Sequence, residues 1–102
     1  MSIDQRRLCG YLGLARRSKA LKVGEQLLDE LDKGNVHLLL FLPELSAKHK
    51  ERLLRRKKEV ETIAVDSIDF SKLKMKKAHA IGITNDGLAK AILDMYRKEE
   101  QR

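Results

Sequence analysis

The sequence of 102 residues predicts an α/β fold, a three-layer α/β/α sandwich with a mixed four-stranded sheet, formed as one domain over residues 1–102. The first observation is an apolar run at residues 36–42, which has six apolar residues out of seven and ends at Pro43. A strand with one face in water would alternate polar and apolar residues, so this run predicts a central strand covered on both faces. A short buried helix is the alternative, but seven residues between two breaking segments is the length of a strand. The second observation is that helical and strand-like segments alternate along the chain.

The first helix is predicted over residues 2–17. Ser2 and Gln5 fit a capping box, and apolar residues then recur with helical spacing at Leu8, Tyr11, Leu12 and Ala15. Gly10 and Gly13 within this helix each cost about 1 kcal/mol relative to alanine. We therefore expect another backbone to approach the helix closely at these two glycines.

A short edge strand and a second helix are predicted next. Leu21 and Val23 are the alternating apolar positions of the strand. Gly24 is a plausible helix cap, and Gly34 is the C-terminal stop. The second helix is therefore predicted over residues 25–33.

The second half of the chain alternates in the same way. Ser46 is predicted to cap a third helix that runs to about Lys58 and lies on the outside, because seven of the fifteen residues 46–60 are Lys or Arg. A strand follows at residues 60–65, and then a short helix capped by Asp66 or Ser67. The last strand spans residues 78–83, where Gly82 leaves room for a packed neighbour. A final helix follows the turn at residues 84–87, and residues 97–102 are expected to fray.

Charge is the strongest global signal in this sequence. There are 22 Lys and Arg residues against 15 Asp and Glu residues, a formal net charge of +7. In so small a chain this excess indicates a polyanionic partner, nucleic acid first and an anionic membrane surface second. Aromatic residues make up 4% of the sequence, and none form an exposed stacking pair, which disfavours modules that stack single-stranded bases.

The sequence also bears on location and on chemistry. The single cysteine, Cys9, excludes an intramolecular disulfide. No run has the length of a secretory or membrane-spanning segment, so we expect a cytoplasmic protein without a membrane partner. We also expect a monomer. His37, His49 and His79 lie in three different elements without metal-ligand spacing. No metal, no cofactor, no catalytic residue and no enzymatic activity are therefore predicted. A small enzyme acting on nucleic acid stays open, because its polar groups would converge only in the fold.

Two basic segments flank the predicted sheet. Arg16, Arg17, Lys19 and Lys22 precede the second helix, whereas Lys72, Lys74, Lys76 and Lys77 precede the last strand. If both segments lie at one end of the sheet, the start of the second helix, residues 24–26, lies between them. Phosphates would then bind the basic side chains while Gln26 reads base edges. The alternative is that both segments are ordinary solvated loops.

Several stretches resemble one known family. The likeness is carried by residues 13–17 and 21–28, the pair Lys33 and Gly34, the apolar strand, and residues 78–89. In these stretches the chain resembles the small bacterial members of the ribosomal L-seven-Ae family. The likeness covers almost the whole chain from Leu8 to Leu93. It implies a three-layer α/β/α sandwich that binds kink-turn RNA, a sharply bent helix with tandem G·A pairs and one extruded nucleotide.

The resemblance also implies a binding site. The family inserts the turn and first residues of its second helix at the G·A pairs, and covers the extruded nucleotide with the loop before its last strand. The matching residues here are Lys22, Val23, Gly24, Glu25 and Gln26 for the helix start, and Lys74, Met75, Lys76, Lys77 and Ala78 for the loop. Glu44, just after the central strand, matches an acid that the family often places near that nucleotide.

The chain differs from the family at the helix start. The family signature is Gly-x-Asn-Glu with a lysine one turn later, whereas this chain has Gln26 and Leu27 in place of the Asn-Glu pair, and then Glu30. The amide of Gln26 can still hydrogen-bond a base, but Leu27 cannot replace the glutamate and Glu30 reverses the charge of the lysine.

The functional hypothesis is a non-catalytic RNA-binding protein of ribosomal type, whose partner is structured RNA such as ribosomal RNA or another kink-turn-containing RNA. The ribosome itself is a further candidate partner. A protein-protein interaction module of the same fold, with weak and unspecific RNA affinity, is the main alternative. Such a module is expected to expose an apolar patch.

Overall fold

The structure, a computed structural model, describes residues 4–56 and 59–100. Within these residues the chain forms, in order, α1 (Gln5–Arg17), β1 (Leu21–Lys22), α2 (Gly24–Lys33), β2 (Leu38–Phe41), α3 (Ala47–Arg56), β3 (Glu61–Ala64), α4 (Phe70–Leu73), β4 (Ala80–Ile83) and α5 (Asp86–Glu100). The strands form one mixed four-stranded sheet in the order β1-β4-β2-β3, which confirms the predicted α/β fold.

The apolar run forms the interior strand β2. It pairs antiparallel with β4 and parallel with β3, and all four of its residues are buried. Leu38 and Leu40 face one layer of helices, whereas Leu39 and Phe41 face the other, as the period of two in a strand requires. The prediction of a central strand covered on both faces is confirmed.

Helices cover the two faces of the sheet in separate groups. On one face, side chains of α1, α4 and α5 pack on the sheet, among them Leu12, Leu73 and Ile92. On the other face, Leu27 of α2 and Leu53 of α3 pack on it. The architecture is therefore the three-layer sandwich that the sequence predicts.

Short polar side chains cap α1, α3 and α4, although not always at the predicted residue. The carboxylate of Asp4 caps α1, since it accepts hydrogen bonds from the backbone N–H groups of Arg6 (3.0 Å) and Arg7 (3.3 Å). The predicted cap Ser2 lies outside the described residues. Ser46 caps α3 as predicted, and its hydroxyl accepts from the N–H of His49 at 3.2 Å.

The cap of α4 was predicted at the wrong residue. The carboxylate of Asp69, rather than Asp66 or Ser67, accepts from the N–H of Lys72 at 3.2 Å. The reason is that the chain between β3 and residue 69 remains irregular, so only Asp69 directly precedes the helix. At the other end of the chain, α5 continues through Glu100, whereas the helix was expected to fray from Arg97 onward. Residues 101 and 102, like the predicted end of the third helix at Lys58, lie outside the described residues.

The glycines of α1 do not mark a close approach of another backbone, so that prediction is wrong. Gly10 is exposed with open space beside it, and the nearest atoms to Gly13 belong to side chains. The closest packing at a glycine occurs instead at Gly82 in β4, where the neighbours are side chains, in line with the predicted room for a packed neighbour. A methyl group there would collide with the Leu27 side chain and would lie 3.4 Å from Cγ1 of Val36. Gly82 therefore allows α2 to pack directly on the sheet.

No helix within the described ranges is both long enough and apolar enough to cross a membrane.

We expect Gly82→Ala to lower the free energy of unfolding by about 1–3 kcal/mol, because the added methyl group overpacks the contact with Leu27. Denaturant unfolding followed by circular dichroism measures this. Gly10→Ala is the matched control, and we expect it to be neutral or to stabilise by up to about 1 kcal/mol, since alanine is the better helix former. Equal effects of the two substitutions would contradict the packing described for β4.

Candidate nucleic-acid interface

The antiparallel pairing of β4 brings three chain segments to one end of the sheet. Lys22 at the end of β1 is opposite Gly82, and Phe41 at the end of β2 is opposite Ala80, the first residue of β4. The exits from β1 and β2 therefore lie beside the entry to β4. We call this the cleft end of the sheet, because an open cleft lies there.

The cleft is bounded by α2, α3 and the segment before β4, and has a volume of about 330 Å³. Its buried lining side chains are apolar, and these are Leu27, Leu28, Leu53 and Ala80. Its exposed lining side chains are polar or charged, and these are Glu25, His49, Arg52, Lys77 and His79. An apolar floor with a polar rim is the usual composition of a ligand-binding cleft.

The start of α2 forms one wall of the cleft. Val23 precedes the helix in an extended conformation and makes no side-chain cap bond, so it is Val23 rather than Gly24 that occupies the cap position. Gly24 is the first helical residue and has a φ of 59°, a left-handed conformation that favours glycine. Gly24, Glu25 and Gln26 are all exposed. The first turn of α2 thus presents backbone N–H groups without a side-chain cap, as anion-binding helix starts do.

The loop before β4 forms the opposite wall and is held by two contacts. The carbonyl of Lys74 accepts a hydrogen bond from Nη2 of Arg16 at 2.9 Å, which ties the end of α1 to this loop. Nζ of Lys77 lies 3.8 Å from Oε2 of Glu44, in an exposed ion pair. Three residues that the sequence assigned to one site, Glu44, Lys77 and Arg16, are therefore linked to the same loop.

The other residues of this loop differ in their exposure. Lys74 has a φ of 55° where α4 ends, and both Lys74 and Lys76 are exposed. Met75 is half-buried and packs against the core that α1, α4 and α5 form with the sheet. Its packing contributes to holding the loop in place.

The two basic segments meet only in part. The carbonyl of Ala20 accepts hydrogen bonds from the N–H (2.8 Å) and the hydroxyl (3.3 Å) of Thr84, which follows β4. Lys19 directly precedes Ala20 and therefore lies toward the opposite end of the sheet from Gly24, because β1 runs antiparallel to β4. Arg17 is exposed near the end of α1, with its guanidinium beside Gly13. Of this segment, Lys22 is half-buried and is placed at the cleft end by its pairing with Gly82, whereas Arg16 reaches the loop before β4 through its side chain.

Sequence reasoning missed three residues of the cleft. His49 and Arg52 from α3 line it together with His79, although the sequence analysis assigned none of the three to the site. The available signal was Leu53, the one buried residue of α3, because His49 lies four positions before it and therefore on the same side of the helix. His37 lies elsewhere, with Nδ1 3.9 Å from Oδ1 of Asp86. Among the residues that the structure describes, no group of three His, Cys, Asp or Glu side chains is arranged to hold a metal ion.

Comparison with known proteins supports the fold. No protein-family model matches the chain, and no curated protein matches it either. A Bacillus halodurans protein of unknown function superposes with a TM-score of 0.79 at 20% identity, over 92% of this chain and 99% of that one. The Giardia lamblia 15.5kD RNA binding protein superposes with a TM-score of 0.67 at 14% identity, over 94% of this chain and 87% of that one. At these identities the likeness shows the fold alone, which this chain shares with an RNA-binding protein.

We expect Arg16→Gln to loosen the loop before β4, since the substitution removes the hydrogen bond to the carbonyl of Lys74. The backbone N–H groups of Lys74 and Met75, which bond to Ser71 and Phe70, should exchange about fivefold faster, as expected for a lost bond of about 1 kcal/mol. Hydrogen exchange followed by NMR measures this. Arg17→Gln removes the same charge one residue away and should leave both rates unchanged. Equal rates in the two variants would contradict the role of Arg16.

Proposed function

We propose that this protein is a non-catalytic, cytoplasmic RNA-binding protein of ribosomal type, which binds structured, kink-turn-like RNA at the cleft end of its sheet. The observation that carries the proposal is the convergence of an uncapped helix start, a lysine-rich loop and an apolar-floored cleft at that end. The shared fold with an RNA-binding protein supports it.

In this proposal the basic residues around the cleft bind the RNA phosphates. Lys74 and Lys76 are exposed on the loop before β4, and Arg52 and Lys77 line the cleft itself. The N–H groups at the start of α2 add donors between these two sets of cations. Such contacts fix the orientation of an RNA on the protein without reading its sequence.

Glu25 and Gln26 are the residues that contact the base edges in this proposal. Both are exposed in the first turn of α2, and the Gln26 amide can both donate and accept a hydrogen bond. Leu27, which stands where the resembled family has its glutamate, is only 2% exposed because it packs against Gly82. Glu30 accepts a hydrogen bond from Nδ2 of Asn35 at 2.9 Å, near the end of α2. Two of the three departures from the family signature, Leu27 and Glu30, thus lie in the core and away from the helix start.

The cleft fits a single extruded nucleotide. Its volume of about 330 Å³ is in the range of small-molecule sites, and its floor is apolar. His49 and His79 at the rim are ring systems on which an unstacked base can stack, as in other RNA-binding proteins. Glu44, held beside Lys77, offers an acceptor for base N–H groups.

The alternative of a protein-interaction module has no specific observation in its favour. Among the described residues, the exposed large hydrophobic side chains are Leu14 (48%) and Leu54 (39%). They lie on α1 and α3, which cover opposite faces of the sheet, so they form no continuous apolar patch.

We expect the protein to bind a labelled kink-turn RNA more tightly than the same RNA with its G·A pairs replaced by Watson-Crick pairs. The expected preference exceeds about 2 kcal/mol, because the helix start reads base edges as well as phosphates. Titrations over a salt series measure it, and both affinities should fall as salt rises. Equal affinities would leave only general binding of structured RNA, and no binding at moderate salt would favour the protein-interaction module.

Two exposed side chains serve as matched variants in this experiment. Gln26→Ala should reduce the preference for the G·A pairs by about 1–3 kcal/mol, because it removes a base contact. Lys76→Gln should instead weaken binding to both RNAs alike and reduce the salt slope by about 1, because it removes a phosphate contact.

A further inference from the structure

Helix α3 has the highest net charge per residue among the described helices. Its ten residues include five Lys or Arg against one Glu, a net charge of +4, where the whole sequence carries +7. The helix is attached to the domain through Leu53, its one buried residue. A net charge of +4 is therefore displayed along about three turns of a helix whose other side packs on the domain.

Three of these cations form a continuous stripe, which we call the α3 stripe. Lys48, Arg52 and Arg55 follow one another at intervals of four and three residues, so they share one side of the helix over a length of about 10 Å. All three are exposed. Arg52, the middle residue of the stripe, also lines the cleft, so the stripe passes its rim.

The cations of the stripe are available to a ligand. Among the described residues, Lys48 and Arg52 have no ion-pair partner, and Arg55 pairs only with Glu51 on the same exposed surface, at 3.3 Å. Exposed pairs of this kind are worth little, so a phosphate can displace the carboxylate. By contrast, Arg56 outside the stripe is held by Asp32 of α2 at 3.0 Å.

The charge of α2 disfavours one of the directions in which a polyanion can leave the cleft. The ten residues of α2 include four acids and one lysine, a net charge of −3. Helices α2 and α3 line the same cleft and differ in sign of charge. A phosphate backbone that leaves the cleft is repelled along α2 and attracted along α3.

We propose that the α3 stripe is a second RNA-contact surface, which binds the phosphate backbone of a helical stem of the RNA held at the cleft. This inference rests on the proposed function, because the stripe prolongs a site that already binds RNA. The stem is bound by charge, without base reading, and the cleft retains the sequence-dependent contacts.

The test compares two triple variants that remove the same charge from opposite faces of the domain. Lys48→Gln/Arg52→Gln/Arg55→Gln removes the stripe, and Lys90→Gln/Arg97→Gln/Lys98→Gln removes three exposed cations of α5. Binding of a kink-turn RNA with long flanking stems is measured for each over a salt series, and circular dichroism checks that both variants are folded. The stripe variant should lose at least tenfold in affinity, and its log-log salt slope should fall by about 2–3, whereas the α5 variant should stay within threefold of the starting protein.

A double variant separates the stripe from the cleft. Lys48→Gln/Arg55→Gln leaves the cleft residue Arg52 in place and should still reduce the salt slope by about 1–2. If the double variant and the α5 variant have equal slopes while the unmodified protein binds the RNA, the second surface is refuted and the proposed function stands. If the unmodified protein binds no RNA at moderate salt, both proposals fail.

Discussion

The antiparallel pairing of β4 with both of its neighbours is the constraint on which the rest of this structure depends. It places the end of β1, the end of β2 and the entry to β4 side by side, although these segments are far apart in the sequence. Gly82 makes the arrangement compact, because Leu27 packs where a side chain of β4 would otherwise lie. The exposed start of α2 is thereby fixed beside the lysine-rich loop, and a cleft with an apolar floor results.

Charge is distributed unevenly over this framework. The net charge of +7 conceals an acidic α2 and a strongly basic α3, which lie on the same face of the sheet and line the same cleft. A polyanion near this face is therefore attracted toward α3 and repelled from α2. In this view the cleft supplies specificity and α3 supplies electrostatic attraction, so discrimination and affinity for RNA come from different elements.

Much of the fold follows from local patterns, whereas the site depends on pairings that no local pattern encodes. An apolar run without alternation is sufficient to place β2 at the centre, and Gly34, with a φ of 76°, ends α2 where predicted. The register of β1 on β4 is set by long-range packing, so the displacement of Lys19 toward the other end of the sheet was not predictable. The meeting of His49 with His79 in one cleft likewise joins two elements that are separate in sequence. The resemblance to an RNA-binding family points to the helix start and the loop as candidate contacts, but not to the basic surface of α3.

The most direct test of the account is a map of backbone amide shifts by NMR as kink-turn RNA is added to the protein. The account predicts that the largest changes fall at the cleft end, in residues 22–28, 44–53 and 74–80, and that they continue along α3 to Arg56. Residues 18–20, 35–37 and 84–87 at the opposite end of the sheet should change little. Large changes at that opposite end, with an unperturbed cleft, would contradict the placement of the RNA.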